Sequence, residues 1–316
     1  MMRILNAEPE NYSAKARAIL EQVGRVTAEP LSRADLLARL GEFDVLIVRL
    51  AHQVDREMID AAPRLKAIVT ATTGLNHVDT DYAASKGIAV LSLRGETAFL
   101  RSITATAEHT WALLLALVRH LPQATAHVLE GGWDRDLFKG HDLARQRLGL
   151  LGLGRIGCLV AQYGLAFQMP VAAYDPAPEQ WVEGVTRVES MDALLRQSDI
   201  LSVHVPLNDS TVHLLGAAEL ALLPHRALLI NTARGEVIDE DALVDALTQN
   251  HLHGAAVDVV HYERDPARRA RRLLEYARTH DNLIITPHIG GATFESMART
   301  EVFMAEKLRT YLAEYM

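Results

Sequence analysis

The feature that most constrains this chain is an alternation: short, uninterrupted Val/Ile/Leu/Ala-rich runs separated by stretches with the spacing of amphipathic helices. A strand covered by helices on both faces reads as a continuous apolar run, because neither side of it meets water. Runs of that kind followed regularly by helices predict a parallel α/β architecture. In the N-terminal part the runs are 3–7, 44–49, 66–71 and 89–93, with helices near 13–23, 32–40, 55–62 and 79–86. The stop signals agree: Ser32 with Asp35 has the pattern of a capping box, Pro63 ends one helix, and Gly87 after Lys86 suits a C-terminal cap.

Residues 104–121 are apolar almost all round, with Ala107, Trp111, Leu114, Leu115 and Val118 at helical spacing before Pro122, which predicts a buried connecting helix. A second α/β series follows, with strands expected at 147–151, 171–174, 200–205, 227–231, 255–259 and 283–286. The last helical stretch, 293–311, is long enough at about 1.5 Å per residue to return to the first domain. The expected fold is α/β: two doubly wound parallel-sheet domains, one (102–291) inserted into a discontinuous other (1–101 and 292–316). A chain of 316 residues is ample for two cores, and two domains imply a cleft. Its end just after the returning helix predicts no C-terminal regulatory domain.

Charge and cysteine content narrow the partners. A formal net charge of −8 argues against nucleic acid or an anionic membrane, since the long-range field repels phosphates, so small anions need local sites. The single Cys158 excludes an internal disulfide, no cysteine cluster suits zinc, and no metal site is expected. A reducing compartment, the cytoplasm, is the expected setting. The start, Met1 to Asn6, turns polar too soon for a signal peptide, and no apolar run reaches the roughly 20 residues that span a bilayer.

Gly152-Leu153-Gly154-Arg155-Ile156-Gly157 follows a predicted strand and opens a predicted helix, the context that gives a glycine fingerprint meaning. Gly152 serves the tight turn, Gly154 the approach of backbone to a pyrophosphate, and Gly157 the packing of helix on strand. The phosphates then sit at a helix N-terminus, where free N–H groups and the dipole favour anions. Asp175 ends the next strand, 18 positions after Gly157, where a carboxylate accepts from ribose hydroxyls and repels a 2′-phosphate. This is a Rossmann-like cofactor domain with NAD preferred over NADP. A plain glycine turn is the alternative.

Interconverting a ketone and an alcohol by hydride transfer requires a proton source near neutral pH, a cation for the substrate's oxygens and a group that holds the proton source. Ligands of open α/β sheets bind beyond the carboxyl ends of the strands. Three consecutive predicted strands end there in suitable residues: 227–231 before Arg234, 255–259 before Glu263, and 283–286 before His288.

The fingerprint with Tyr174-Asp175-Pro176, then Asn231-Thr232-Ala233-Arg234-Gly235, Asp258 to Glu263 and Pro287-His288-Ile289-Gly290-Gly291-Ala292-Thr293, resembles the D-isomer-specific 2-hydroxyacid dehydrogenases over almost the whole chain. That family includes D-3-phosphoglycerate dehydrogenases, hydroxypyruvate and glyoxylate reductases, D-lactate dehydrogenases and formate dehydrogenases. The resemblance implies Arg234 as the carboxylate and carbonyl clamp, His288 as acid/base and Glu263 as the group that orients and charges the imidazole. The chemistry is coherent, since a carboxylate stabilises an imidazolium and a guanidinium binds a carboxylate in bidentate fashion. A surface ion pair, a solvated loop residue and a helix-start residue are the respective alternatives. Thr106, Arg155, Ile156, Val205, Pro206, Thr211, Thr232, Asp258 and Gly290 are implied NAD contacts, with Asp258 near the carboxamide.

In the first domain, Thr73, Gly74 and Leu75 resemble the loop whose amides grip the substrate carboxylate, with a plain strand-to-helix turn as the alternative. Arg49 matches an arginine that faces the substrate's far end in phosphoglycerate-type members; a salt bridge at the cleft rim is its alternative. The stretch 92–102 departs from the Asn-Ala-Pro-Gly-like segment of many members, so Arg94 and Arg101 either bind a second anionic group or pair with Glu96. Arg268, Arg269, Arg271 and Arg272 fall in a long interval between Glu263 and His288 and read as a nucleic-acid or targeting patch or as an exposed helix face. Cys158 is expected to be a buried filler, and His204 either a cofactor neighbour or a structural histidine. The resulting expectation is an NAD-dependent D-2-hydroxyacid dehydrogenase, homodimeric as is typical of the family, with a phosphoglycerate- or hydroxypyruvate-like 2-keto or 2-hydroxy acid as substrate. The other readings are an NAD(H)-sensing, corepressor-like binding protein and an interaction protein without cofactor.

Overall fold

The computed structural model describes residues 1–178, 180–265 and 267–315. The chain divides into two compact units, Met1–Ser102 with Ala292–Met316, and Ile103–Gly291.

The first unit holds a parallel sheet of five strands: β1 (Met2–Asn6), β2 (Gly24–Ala28), β3 (Val45–Val48), β4 (Ala67–Thr70) and β5 (Ala89–Leu91), in the order β2-β1-β3-β4-β5. All four residues of β3 and of β4 are buried, as their unbroken apolar runs require. Leu5, Leu36, Leu46, Met58 and Ile68 pack into one cluster at 0% exposure, each contributing about 1.5–3 kcal/mol of burial. The helices start where side chains take their orphan amides: Ser13, Ser32, Asp55 and Asp79 each accept from an amide in the first turn. The helix Phe294–Tyr315 packs against Ala14–Val23 within this unit. Strand β2 is absent from the sequence reading because Gly24-Arg25-Val26-Thr27-Ala28 lies at the sheet edge, largely half-exposed, and offers no apolar run.

The second unit holds seven parallel strands: β6 (Leu148–Leu151), β7 (Val171–Tyr174), β8 (Thr186–Arg187), β9 (Ile200–Val203), β10 (Ala227–Asn231), β11 (Leu252–Val257) and β12 (Leu283–Ile285), in the order β12-β11-β10-β9-β6-β7-β8. Both faces are covered. Leu229 and Val257 belong to one buried cluster with Leu243 and Leu273, whereas Ile230 and Ala256 join Leu114, Val160 and Ala161 in another. Consecutive residues of β10 and β11 thus enter different cores, which accounts for their continuous hydrophobicity. The strand order reverses between β6 and β9, so the connections after them leave on opposite sides and open a crevice at their carboxyl ends.

The single helix expected over 104–121 ends sooner, as Ala105–Val118, and a second helix follows, Leu121–Leu129. His120 breaks the path in the left-handed region (φ 52°), and Pro122 lies in the first turn of the second helix, where a missing N–H costs little. Pro122 is a start signal here, not the stop it resembled. No residue of Leu121–Leu129 is buried, and among the described residues no single helix is long and apolar enough to cross a membrane.

Candidate active site

The glycine turn after β6 has the form its sequence requires. Gly152 is left-handed (φ 96°), and a Cβ there would stand 2.9 Å from the carbonyl of His204; one on Gly157 would stand 2.3 Å from the Gly152 oxygen. Gly154 differs, because a Cβ added to it meets nothing within 4 Å. It is the N-cap of the helix Arg155–Ala166, and no side chain caps that end. The first amides and the dipole are therefore available to an anion approaching over Gly154. Asp175, just past β7, accepts from the Leu153 amide (2.8 Å) and the Ala177 amide (2.9 Å), which bonds the carboxylate to the turn and leaves lone pairs for hydroxyl donors. These residues fit a dinucleotide.

Other expected cofactor contacts lie around the same edge. Arg155 donates to the Ile103 carbonyl (2.7 Å), and burial lowers its guanidinium from the ordinary value. Ile156 and Val205 are half-buried and Pro206 is exposed. Thr211 donates to the Pro206 carbonyl (2.7 Å), and the Thr232 and Thr110 hydroxyls are bonded at 2.8 Å. The carbonyl of Thr106 accepts from Thr110. Cys158 is buried, its thiol donating to the Leu153 carbonyl. His204 bonds Ser202 at 2.9 Å, and burial pushes its imidazole down to about 3, the state of a neutral structural histidine.

Arg234, Glu263 and His288 follow β10, β11 and β12, three adjacent parallel strands. Asn231 shapes the first loop, its Oδ1 accepting from the Ala233 amide and its Nδ2 donating to the Arg234 carbonyl, both at 2.9 Å. Arg234 is half-buried and donates to the Ala233 carbonyl at 2.6 Å; among the described residues it makes no ion pair. Burial pulls its guanidinium below the ordinary value, and the charges of Glu263 and Glu236 oppose that fall. Gly235 brings this loop against the next one, since a Cβ there would lie 2.2 Å from the Val260 carbonyl carbon.

His288 Nδ1 lies 2.9 Å from both carboxylate oxygens of Glu263, with the two side chains 25% and 28% exposed. Burial pushes the Glu263 carboxyl up, but its bond to His288 and the charges of His288, Arg264 and Arg234 prevail and hold it below the ordinary carboxylate range. With Nδ1 on the carboxylate, Nε2 is the atom left to exchange a proton.

Asp258, expected beside the cofactor carboxamide, is bonded to the loop that carries His288. It is 2% exposed; its Oδ1 accepts from the Thr286 hydroxyl (2.6 Å) and the Ile289 amide (2.8 Å), and its Oδ2 accepts from the Gly290 amide (2.7 Å). The His288 amide donates to the Asp258 carbonyl at 2.8 Å. This anchoring holds His288 in the left-handed region (φ 56°), so the buried carboxylate builds the His288 turn. His109, absent from the sequence reading, supports it from the helix Ala105–Val118 at 3.0 Å from Thr286 Oγ1 and 3.2 Å from Asp258 Oδ1. Its only signal in the sequence is a histidine beside Glu108 near the start of a largely apolar helix.

In the first unit the loop after β4 is shaped by hydroxyls: Thr72 bonds Thr70 (3.1 Å) and donates to the Gly74 carbonyl (2.8 Å). Among the described residues the amides of Thr73, Gly74 and Leu75 donate to no acceptor. Arg49 does not present a free guanidinium: it donates to the carbonyls of Glu8 (2.7 Å) and Glu10 (2.9 Å) and stands 3.7 Å from the buried Glu301. Arg94 and Arg101 are exposed and do not pair with Glu96, whose ion-pair partner is Lys307 on the C-terminal helix.

Residues 111–290 match the model of the D-isomer specific 2-hydroxyacid dehydrogenase NAD binding domain. The D-3-phosphoglycerate dehydrogenase of Methanocaldococcus jannaschii is 37% identical over 99% of this chain, which spans 58% of that protein's length. The hydroxypyruvate reductase of Thermotoga maritima is 38% identical, with 90% of this chain and 89% of that one covered. The D-lactate dehydrogenase of Aquifex aeolicus, solved with NAD and lactic acid, superimposes with a TM-score of 0.85 at 29% identity, covering 98% of this chain and 95% of that one. With the glycine turn, the acidic residue after β7 and the Arg234, Glu263 and His288 loops on one sheet edge, the chain belongs to the D-isomer specific 2-hydroxyacid dehydrogenase family and carries its NAD binding domain.

Proposed function

We propose that this protein is an NAD-dependent dehydrogenase that interconverts a small D-2-hydroxy acid and its 2-keto acid, with a phosphoglycerate- or hydroxypyruvate-like substrate. The observation that carries this reading is the Glu263–His288 pair in the same unit as Arg234, a half-buried guanidinium that makes no ion pair among the described residues. A desolvated guanidinium without a carboxylate partner is a site for an anion.

Bound NADH supplies the hydride. In the reductive direction Arg234 holds the substrate carboxylate and polarises the neighbouring carbonyl, while the His288 imidazolium donates its Nε2 proton to the ketone oxygen. Glu263 keeps the ring oriented and stabilises its charged form. In the first unit the amides of Thr73, Gly74 and Leu75 are donors of a kind suited to a carboxylate. Asp175 favours NAD over NADP because a 2′-phosphate beside it would be repelled.

A homodimer and a cytoplasmic setting complete the reading. Leu121, Val128, Leu129, Trp133 and Leu137 are 48–89% exposed along one short segment of the second unit, an apolar surface suited to a second copy. The buried Cys158, a thiol that forms no disulfide, suits a reducing compartment.

The test is NADH absorbance with purified protein and a panel of hydroxypyruvate, 3-phosphohydroxypyruvate, glyoxylate and pyruvate. Turnover with one of the first two at the highest kcat/KM is the expected result. Tight NADH binding without turnover of any keto acid would make the protein a sensor.

A further inference from the structure

Glu263 lies on an irregular segment between β11 and the helix Arg271–Ala277, where no strand or helix fixes its backbone. A carboxylate that must meet an imidazole within a few tenths of an ångström needs support that such a loop does not provide by itself. Two bonds provide it. Upstream, the His261 amide donates to Glu240 Oε1 at 2.7 Å. Downstream, Arg269 Nε donates to the main-chain carbonyl of Glu263 at 2.7 Å.

The second bond acts on Glu263 itself. Asp265 turns the chain, its carbonyl accepting from the amides of Arg268 (3.1 Å) and Arg269 (2.8 Å), so both side chains are aimed back at the segment just traversed. Arg268 lies 3.7 Å from the ring centroid of Tyr262, which is itself left-handed (φ 50°). Arg272, on the following helix, binds Asp241 and Asp245 of the helix Glu240–Thr248, whose first residue makes the upstream bond. Arg271 and Arg272 thus stand on the exposed face of the helix Arg271–Ala277, as one of the two sequence readings had it, with side chains 84% and 49% exposed. They pair with Glu275 and with Asp241 and Asp245, respectively, whereas Arg269 is half-buried and turned onto the Glu263 carbonyl.

We propose that Arg269 is a positioning residue: by holding the Glu263 carbonyl it sets the carboxylate at bonding distance from His288 Nδ1. This rests on the reading of Glu263 and His288 as the proton-transfer pair. A guanidinium suits the task because its planar fork loses little freedom per bond, and its stem packs while Nε donates.

The experiment compares the wild-type chain with Arg269→Met, which keeps the stem and removes the donor, and Arg269→Lys, which restores one. Two readouts are taken: kcat and KM for hydroxypyruvate with NADH from pH 5 to 9, and the downfield imidazole N–H proton resonance assigned by its loss in Glu263→Gln. Arg269→Met is expected to lower kcat about tenfold, leave the NADH dissociation constant unchanged, alter the pH profile and weaken the downfield resonance, with Arg269→Lys recovering most of each. A wild-type kcat, pH profile and resonance in Arg269→Met would overturn the proposal. If the wild type turns over no keto acid, the functional reading fails instead, and the resonance in the two variants still decides whether Arg269 sets the Glu263–His288 bond. Should Arg269→Met not melt cooperatively, Arg269→Leu, which also lacks a donor, takes its place under the same criteria.

Discussion

The backbone around Gly235 and Val260 is packed so closely that a single methyl would separate two loops: an added Cβ on Gly235 falls 2.2 Å from the Val260 carbonyl carbon and 2.6 Å from the His261 amide nitrogen. The loop that carries Arg234 and the loop that leads to Glu263 meet at this point, main chain against main chain. Backbone cannot rotate away as a side chain can. Gly235→Ala is expected to cost about 1–3 kcal/mol of stability and to lower kcat, measured by urea unfolding and by turnover. Wild-type values in both assays would mean that the contact does not constrain the site.

The Glu263–His288 bond leads to a kinetic prediction. His288→Ala is expected to lower kcat by about 10²–10⁴, and Glu263→Gln by a smaller factor, with NADH affinity near wild type in a fluorescence titration of each. Undiminished turnover in His288→Ala would remove the imidazole from the mechanism.

Asp175 serves two ends, repulsion of a 2′-phosphate and a bond to the Leu153 amide in the glycine turn. Asp175→Ala is expected to narrow the preference for NADH over NADPH by about tenfold, equivalent to about 1.4 kcal/mol, and to weaken NADH binding as the turn loses its acceptor. The ratio of kcat/KM values for the two cofactors measures it, and an unchanged ratio would exclude Asp175 from ribose recognition.

Glu240 predicts a pH dependence of stability. Burial pushes its carboxyl up to about 7, the acidic neighbours Glu236, Asp241 and Asp239 add to the rise, and the His261 amide bond opposes it. The folded protein therefore holds this proton more tightly than the unfolded chain, whose value is near 4.5. Below that lower value the group is neutral in both states and costs nothing. As pH rises toward 7 its ionisation progressively destabilises the fold, and above 7 the penalty stays constant. Glu240→Gln keeps an acceptor for the His261 amide and removes the charge. Its Tm is expected to exceed that of wild type above pH 7 and to converge with it below pH 4.5; parallel curves at all pH values would refute this.

The legible part of the fold is the part whose signal is local. Unbroken apolar runs marked β3, β4, β6, β9 and β10 to within a residue or two, because a strand covered on both faces has no polar positions to confuse with a loop. Strand β2 and the two-residue β8, both at sheet edges, carry no such signal. Pro122 was ambiguous for a reason of the same kind, since proline both ends helices and begins them, and the left-handed His120 that decides between the two is not visible in composition.

The sequence by itself determined the parallel α/β plan, the glycine turn with Asp175 behind it, and the placing of Arg234, Glu263 and His288 after successive strands, because each rests on neighbours a few positions apart. Tertiary structure alone decided that Asp258 anchors the His288 turn, that Glu96 pairs with Lys307, that Arg49 is tied to the carbonyls of Glu8 and Glu10, and that Glu240 and Arg269 hold the Glu263 loop. A charged side chain bonds whichever complementary group the fold brings within about 3 Å. Lys307 is 211 positions from Glu96 and Gly290 is 32 from Asp258, so spacing along the chain carries no information about such partners.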